Sequence, residues 1–350
     1  MLVGVLSGQT AAEVIRYPAV PDAVGPEATG DLVIYSSTDQ EAFDPVIAGF
    51  QRAYPAVSVV YHDINTIEIY DRFLAAAGNG GPTADLLMSS AIDLQINLVN
   101  DGHAATHVLD VTRRLPRWAN WRNEASGFTF EPIVIVYNKG QIAAGEVPRA
   151  RYDLASLLRD QPARFAGRVA TYDLERSGAG FLFATQDARE SDAIWDLARR
   201  FGASGVKLYS NTAAILDRVA NGRFLIGHNV VGSYAEARAA SDPSIGIVLP
   251  EDYTLVMSRI AVIPKAAAEP RLARLFLDFL LSEQGQRIVA EARLFAIHPD
   301  VVGDATAAAL RAAVGDSLRP IQVGPGLLVY LDQAKRERFL ERWQYALAGR

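Results

Sequence analysis

The residues of this 350-residue chain best suited to chemistry are small clusters of hydroxyl side chains, each set directly after an apolar, β-prone run. Ser36, Ser37 and Thr38 follow residues 32–35. Thr66 follows the run 57–61, with Asp63 and Asn65 just before it. Ser89 and Ser90 follow the run 85–88. Hydroxyls and free backbone N–H groups at the carboxyl end of a strand, facing the start of a helix, suit an anionic or polar small molecule. A fourth cluster, Arg176-Ser177-Gly178-Ala179-Gly180, follows the run 168–172. Its glycines allow close backbone approach, Ser177 supplies a hydroxyl, and Arg176 is a candidate clamp for a carboxylate or phosphate. If that clamp is buried against the ligand, Arg176→Ala costs about 2 kcal/mol of binding. The run 223–229 ends in His228 and Asn229, which puts one titratable ring at a strand end. A plainer reading stands beside this one: Ser37 or Thr38 as a helix cap, the glycines as a turn, His228 as a core histidine.

These clusters need strands that share one edge of a sheet. Periodicity supplies them: an amphipathic helix over 41–52 with Phe43, Val46, Ile47 and Phe50 on one face, a second over 67–77, and a third over 91–102 stopped by Gly102. The βαβα rhythm predicts an open parallel sheet whose strand ends line a ligand edge. Two long β-runs, 128–138 and 253–263, have the length to cross between lobes, with a hinge expected near 133–137 and 253–258. Two lobes with two crossings can close on a ligand. Trp118 and Trp121 read as packing residues rather than sugar platforms. Residues 299–350 read as mostly helical, with a break at Gly324-Pro325-Gly326.

Half of the residues are hydrophobic and 21% charged, enough for two cores. The net charge of -6, with no Lys/Arg-rich run or interleaved basic and aromatic patch, speaks against nucleic acid. With zero cysteines there are no disulfides, thiolate zinc sites or cysteine nucleophiles. The histidines show no HExxH motif, so no metal and no cofactor is expected; a GxSxG elbow and a GxGxxG fingerprint after the first strand are also missing, which argues against an enzyme. The opening MLVGVLSGQTAA reads either as the tail of a secretory signal or as a disordered N-terminus, and residues 17–30 read as a linker.

The ordered series VIYSSTDQEAFDPVIAGFQRAYPAVSV, ADLLMSSAIDLQINLVNDG, FTFEPIVIVYNKG, GHNVVGSYAEAR, LPEDYTLVMSRIAVIPKAA and LFLDFLLSEQGQ resembles the solute-binding proteins of ABC importers of the ferric-ion and organophosphate type, over roughly residues 30 to 300. The resemblance implies an α/β type II periplasmic binding fold: lobe 1 from 31–134 and 257–300, lobe 2 from 135–256, an N-terminal segment 1–30, and a C-terminal helical region 301–350 packing on the lobes. It implies a monomer in the periplasm that hands cargo to a permease in the inner membrane. Ferric-binding relatives carry two adjacent tyrosines after the second-lobe strand, where this chain has GHNVVGSY with a lone Tyr234. Relatives that take phosphorylated ligands use hydroxyl, backbone N–H and arginine donors, so a small anion is the expected ligand. Iron carriage through Tyr234, His228 and cleft carboxylates is the alternative, and docking on a sensor histidine kinase is a further possible role.

Overall fold

The computed structural model describes residues 13–21, 28–81, 83–108 and 114–349. The expected signal remnant at 1–12 and linker residues 22–27 lie outside these. The apolar runs Gly30–Ser36, Val57–Asp63 and Leu86–Ser89 form three parallel strands with Gly30–Ser36 in the middle, each leading into a helix: Gln40–Ala53, Thr66–Gly78 and Ile92–Asn100. Antiparallel strands extend both sides of this first sheet, whose order is Glu13–Tyr17, Val57–Asp63, Gly30–Ser36, Leu86–Ser89, Ile260–Val262, Ala125–Gly127, Asn120–Trp121. Glu13–Tyr17 falls in a stretch that sequence reading leaves to a signal or linker; it pairs along Val57–Asp63.

The second sheet runs Leu318–Pro320, Thr254–Met257, Glu131–Asn138, Ile226–Val231, Val169–Tyr172, Lys207–Tyr209, with Ile245–Val248 also paired to Glu131–Asn138. The long run 253–263 is thus divided between the sheets, while the run 128–138 starts in the crossing and continues in the second sheet. The chain leaves the first sheet after Gly127 and enters the second at Glu131, and it returns between Met257 and Ile260. The crossings lie at 128–130 and 258–259, next to the expected hinge, because residues 133–137 pair fully within the second sheet.

The first lobe packs around Phe43, Phe50, Tyr61, Phe128 and Phe276, all buried, with the rings of Phe50 and Phe276 edge to face at 4.9 Å. Each such ring stabilises the fold by roughly 1.5–3 kcal/mol on burial. The C-terminal arm reaches both lobes. Strand Leu318–Pro320 joins the second sheet, the 3-10 turn Pro325–Tyr330 leans on Ile92–Asn100 of the first lobe, and helix Gln333–Leu347 packs along Ala193–Ala203 of the second. Gly202 permits that last contact, since a Cβ there would stand 1.8 Å from the Leu347 carbonyl oxygen.

Asp93, buried in the first turn of Ile92–Asn100, has an unpartnered Oδ1. Burial pushes its pKa up to about 7, against the pull of Arg336 from the arm. The unfolded chain ionises this group from near pH 3.9 while the native state keeps it protonated to about 7. Stability therefore declines across that window and levels off above it. Asp93→Asn is expected to remove this decline, so denaturant midpoints at pH 4 and pH 8 should lie closer together in the variant than in the parent.

Candidate functional site

At the carboxyl edge of the first sheet the clustered hydroxyls divide into two roles. Ser36 Oγ accepts from the Thr38 amide at 3.0 Å and Ser89 Oγ accepts from the Ala91 amide at 3.1 Å, so both shape the turns that lead into helices. Ser37 and Ser90 stand side by side: Ser37 Oγ accepts from the Ser90 amide at 3.1 Å, with the two hydroxyls 3.4 Å apart. Tyr61 donates to the Thr38 carbonyl at 2.6 Å. Asp63 accepts from the Gln40 amide at 2.9 Å, and burial raises its pKa to about 6.

The lobes meet directly across this edge. Thr66 Oγ1 accepts from the Gly178 amide at 3.1 Å. A Cβ on Gly178 would lie 3.0 Å from that hydroxyl oxygen and 3.2 Å from both Ala91 Cβ and Leu94 Cδ1, so a branched side chain here would hold the second lobe away. Ser177 caps the helix Gly178–Glu190 by accepting from the Gly180 amide at 3.1 Å. On the other side of the cleft the Asp39 amide donates to Tyr234 Oη at 2.9 Å. Tyr234 belongs to helix Gly232–Ser241, and burial raises its pKa above the ordinary phenol value.

Five helices therefore start where the lobes meet. Three of them, Thr66–Gly78, Ile92–Asn100 and Gly232–Ser241, have no side-chain cap, while Asp63 takes the Gln40 amide at the start of Gln40–Ala53. Uncapped first-turn N–H groups and the positive ends of helix dipoles make this edge receptive to negative charge.

Behind the edge lies a pair that sequence reading does not single out. Arg259, 1% exposed, donates through Nε to Glu131 Oε1 at 2.8 Å and through Nη2 to Glu131 Oε2 at 3.2 Å, while Glu131 is 0% exposed. Arg259 Nη1 continues to Thr38 Oγ1 at 3.0 Å and the Ser37 carbonyl at 3.3 Å, and the guanidinium lies over the Tyr234 ring, 5.1 Å from its centroid. Ser233 donates to Glu131. One residue of the pair sits at each crossing, so the hinge is wired to the hydroxyl turn. The signal is present in the sequence: FTFEPIV and VMSRIAV each carry one charge inside an apolar β-run, where a charge needs a partner.

Two residues expected at the cleft, His228 and Asn229, lie elsewhere, and a third, Arg176, faces water. Arg176 is exposed, and among the described residues its side chain has no hydrogen-bond partner. His228 is buried with its ring 5.1 Å from Phe201, and burial together with Arg151 lowers its pKa well below the usual value. Asn229 donates to Asp187 Oδ2 at 2.6 Å. Asp187 is nine residues into the helix that begins at Gly178, which puts it roughly 13 Å along the axis from the cleft. His228 and Asn229 therefore belong to a buried second-lobe network in which Arg151 pairs with Asp187 at 3.0 Å and Tyr253 donates to it at 2.9 Å. Among the described residues no cluster of three His, Cys, Asp or Glu is placed to hold a metal ion.

Comparison with known proteins fits this geometry. The family model for bacterial extracellular solute-binding proteins matches residues 32–292. The substrate-binding protein of an ABC transporter from Agrobacterium tumefaciens is similar over 96% of this chain and 98% of its own, at 47% identity and a TM-score of 0.91. AfuA from Actinobacillus pleuropneumoniae, a periplasmic binding protein with fructose-6-phosphate bound, shares 17% identity over 91% of this chain and 99% of its own, with a TM-score of 0.75. Iron-bound HitA from Pseudomonas aeruginosa shares 18% over 90% and 99%, with a TM-score of 0.68; at such identities the likeness is one of fold. No curated protein matches the sequence. Two lobes, two crossings and a ligand edge between them, together with these matches, show that the chain belongs to the bacterial extracellular solute-binding proteins, the non-enzymatic binding component of ABC transporters.

Proposed function

We propose that this protein captures a small anion, an organophosphate, phosphonate or carboxylate, in the interlobe cleft in the periplasm and delivers it to an ABC import permease. The observation that carries this reading is the convergence of three uncapped helix starts on the turns holding Ser37, Ser90 and Thr66. Ser37, Ser90 and Thr66 donate from the first lobe; the Ser177 turn answers from the second, held against Thr66 by the Gly178 amide. Ser36, Thr38 and Ser89 hold the turns in shape.

Iron carriage has less support. Tyr234 would have to ionise to bind Fe(III), yet burial raises its pKa, and its ring already carries the Arg259 guanidinium. The bound-ligand descriptions of AfuA and HitA show that this fold accommodates both chemistries. The test is calorimetric titration of the metal-free protein with fructose-6-phosphate, 3-phosphoglycerate and citrate, repeated on Ser37→Ala and Ser90→Ala. One charge-assisted hydrogen bond lost from each variant is expected to weaken binding about tenfold. Equal affinity in parent and variants would remove these hydroxyls from the site. Arg176→Ala, now an exposed charge, is expected to change affinity by less than about 1 kcal/mol.

A further inference from the structure

A second feature faces away from the cleft. Helix Gln333–Leu347 carries Lys335, Arg338 and Arg342 at spacings of three and four, hence on one face. All three are exposed, and among the described residues none of these side chains pairs with a carboxylate or donates a hydrogen bond. They rim a shallow, open depression of about 250 Å³ over half-buried Tyr330 and the edges of buried Trp195 and Phe339. Arg342 already lies over the Trp195 ring at 3.8 Å from its centroid, and Phe339 packs against Trp195 and Tyr330 at 5.3 and 5.4 Å. Sequence reading finds no basic and aromatic patch here because Glu337 and Glu341 dilute the stretch AKRERFLERW. The helix sorts the charges: Glu337 is engaged by Gln333 at 3.0 Å, while the three cations gather over the aromatic floor.

In a chain of net charge -6, three unpaired cations around an apolar concavity form a local field of opposite sign. An inorganic anion would leave the aromatic floor unused, and a neutral hydrocarbon would leave the cations unused. We propose that this pocket is a second ligand site, separate from the interlobe cleft, that takes a small aromatic anion: an aryl phosphate or aryl carboxylate with its ring against Tyr330 and the edges of Trp195 and Phe339, and its charge among Lys335, Arg338 and Arg342. The volume is below the usual range for ligand pockets, which limits the occupant to a single ring, and cation–π contact from Arg342 adds to the ring's seat.

The test is titration of the full chain with phenyl phosphate, followed by calorimetry, with inorganic phosphate as the comparison probe. Three proteins are compared: the parent, R338Q/R342Q, and Gly178→Val, which obstructs cleft closure without touching this pocket. Saturable binding of phenyl phosphate, stronger than that of phosphate, is expected in the parent. It should be retained in Gly178→Val and weakened at least about tenfold in R338Q/R342Q. Both substitutions in the double variant replace exposed side chains, and an unchanged melting temperature verifies its fold. Absence of saturable binding in the parent, equal affinity in R338Q/R342Q, or loss of binding in Gly178→Val would each overturn the proposal.

Discussion

Arg259→Met is expected to destabilise the protein by about 3–5 kcal/mol. The substitution leaves Glu131 fully buried with its ion pair gone, keeping only the Ser233 hydroxyl as a partner among the described residues. It also takes the donor from Thr38 Oγ1 and the Ser37 carbonyl. Burial by itself works against charge on Arg259, but Glu131, Tyr234 and Asp39 outweigh it and hold the guanidinium pKa above its ordinary value. Urea denaturation measures the loss. Arg259→Met combined with Glu131→Leu should recover most of it, because replacing both partners with apolar groups removes the uncompensated charge, and the cycle isolates the coupling. A single variant within about 1 kcal/mol of the parent would mean that water or another group compensates Glu131.

The second large effect is on binding. Gly178→Val places a branched side chain against the Thr66 hydroxyl, Ala91 and Leu94, where a Cβ alone already reaches 3.0 to 3.2 Å. The lobes can then no longer meet at this point, and the ligand loses the donors of the second lobe. Affinity for the cleft ligand is expected to fall about 100-fold, equivalent to about 2.7 kcal/mol, with little change in the melting temperature of the unliganded protein. Gly178→Ala should cost less, since neighbours at that range need give only a few tenths of an ångström. Calorimetry on the pair separates obstruction of closure from loss of helix-start flexibility, which would weaken both variants alike.

Much of the architecture is legible in the chain. Apolar runs ending in hydroxyls mark the strand ends, 3.6-residue periodicity marks the helices after them, and the two overlong β-runs mark the crossings. The limits are physical. A strand's two faces alternate, and a bulge resets the alternation: the register shifts between Gly227 and Val230, with Asn229 in the left-handed region at φ 58°. Which way His228 points thus depends on one irregular residue that composition does not announce. Arg176 shows the opposite difficulty, since a residue beside a ligand loop can face water. Arg259 and Glu131 were readable as charges within buried runs, but their partnership spans 128 residues and only the fold brings them together.

The most direct measurement is a thermal-shift screen of the metal-stripped protein against sugar phosphates, phosphoglycerates, phosphonates, di- and tricarboxylates and ferric citrate. A ligand that binds only the folded state raises its melting temperature. A rise with a phosphorylated or carboxylated anion in the absence of metal, lost in Gly178→Val, is the expected result. A rise with ferric iron alone, accompanied by phenolate-to-iron colour, would contradict an anion-binding cleft and place the metal on Tyr234 and the neighbouring carboxylates.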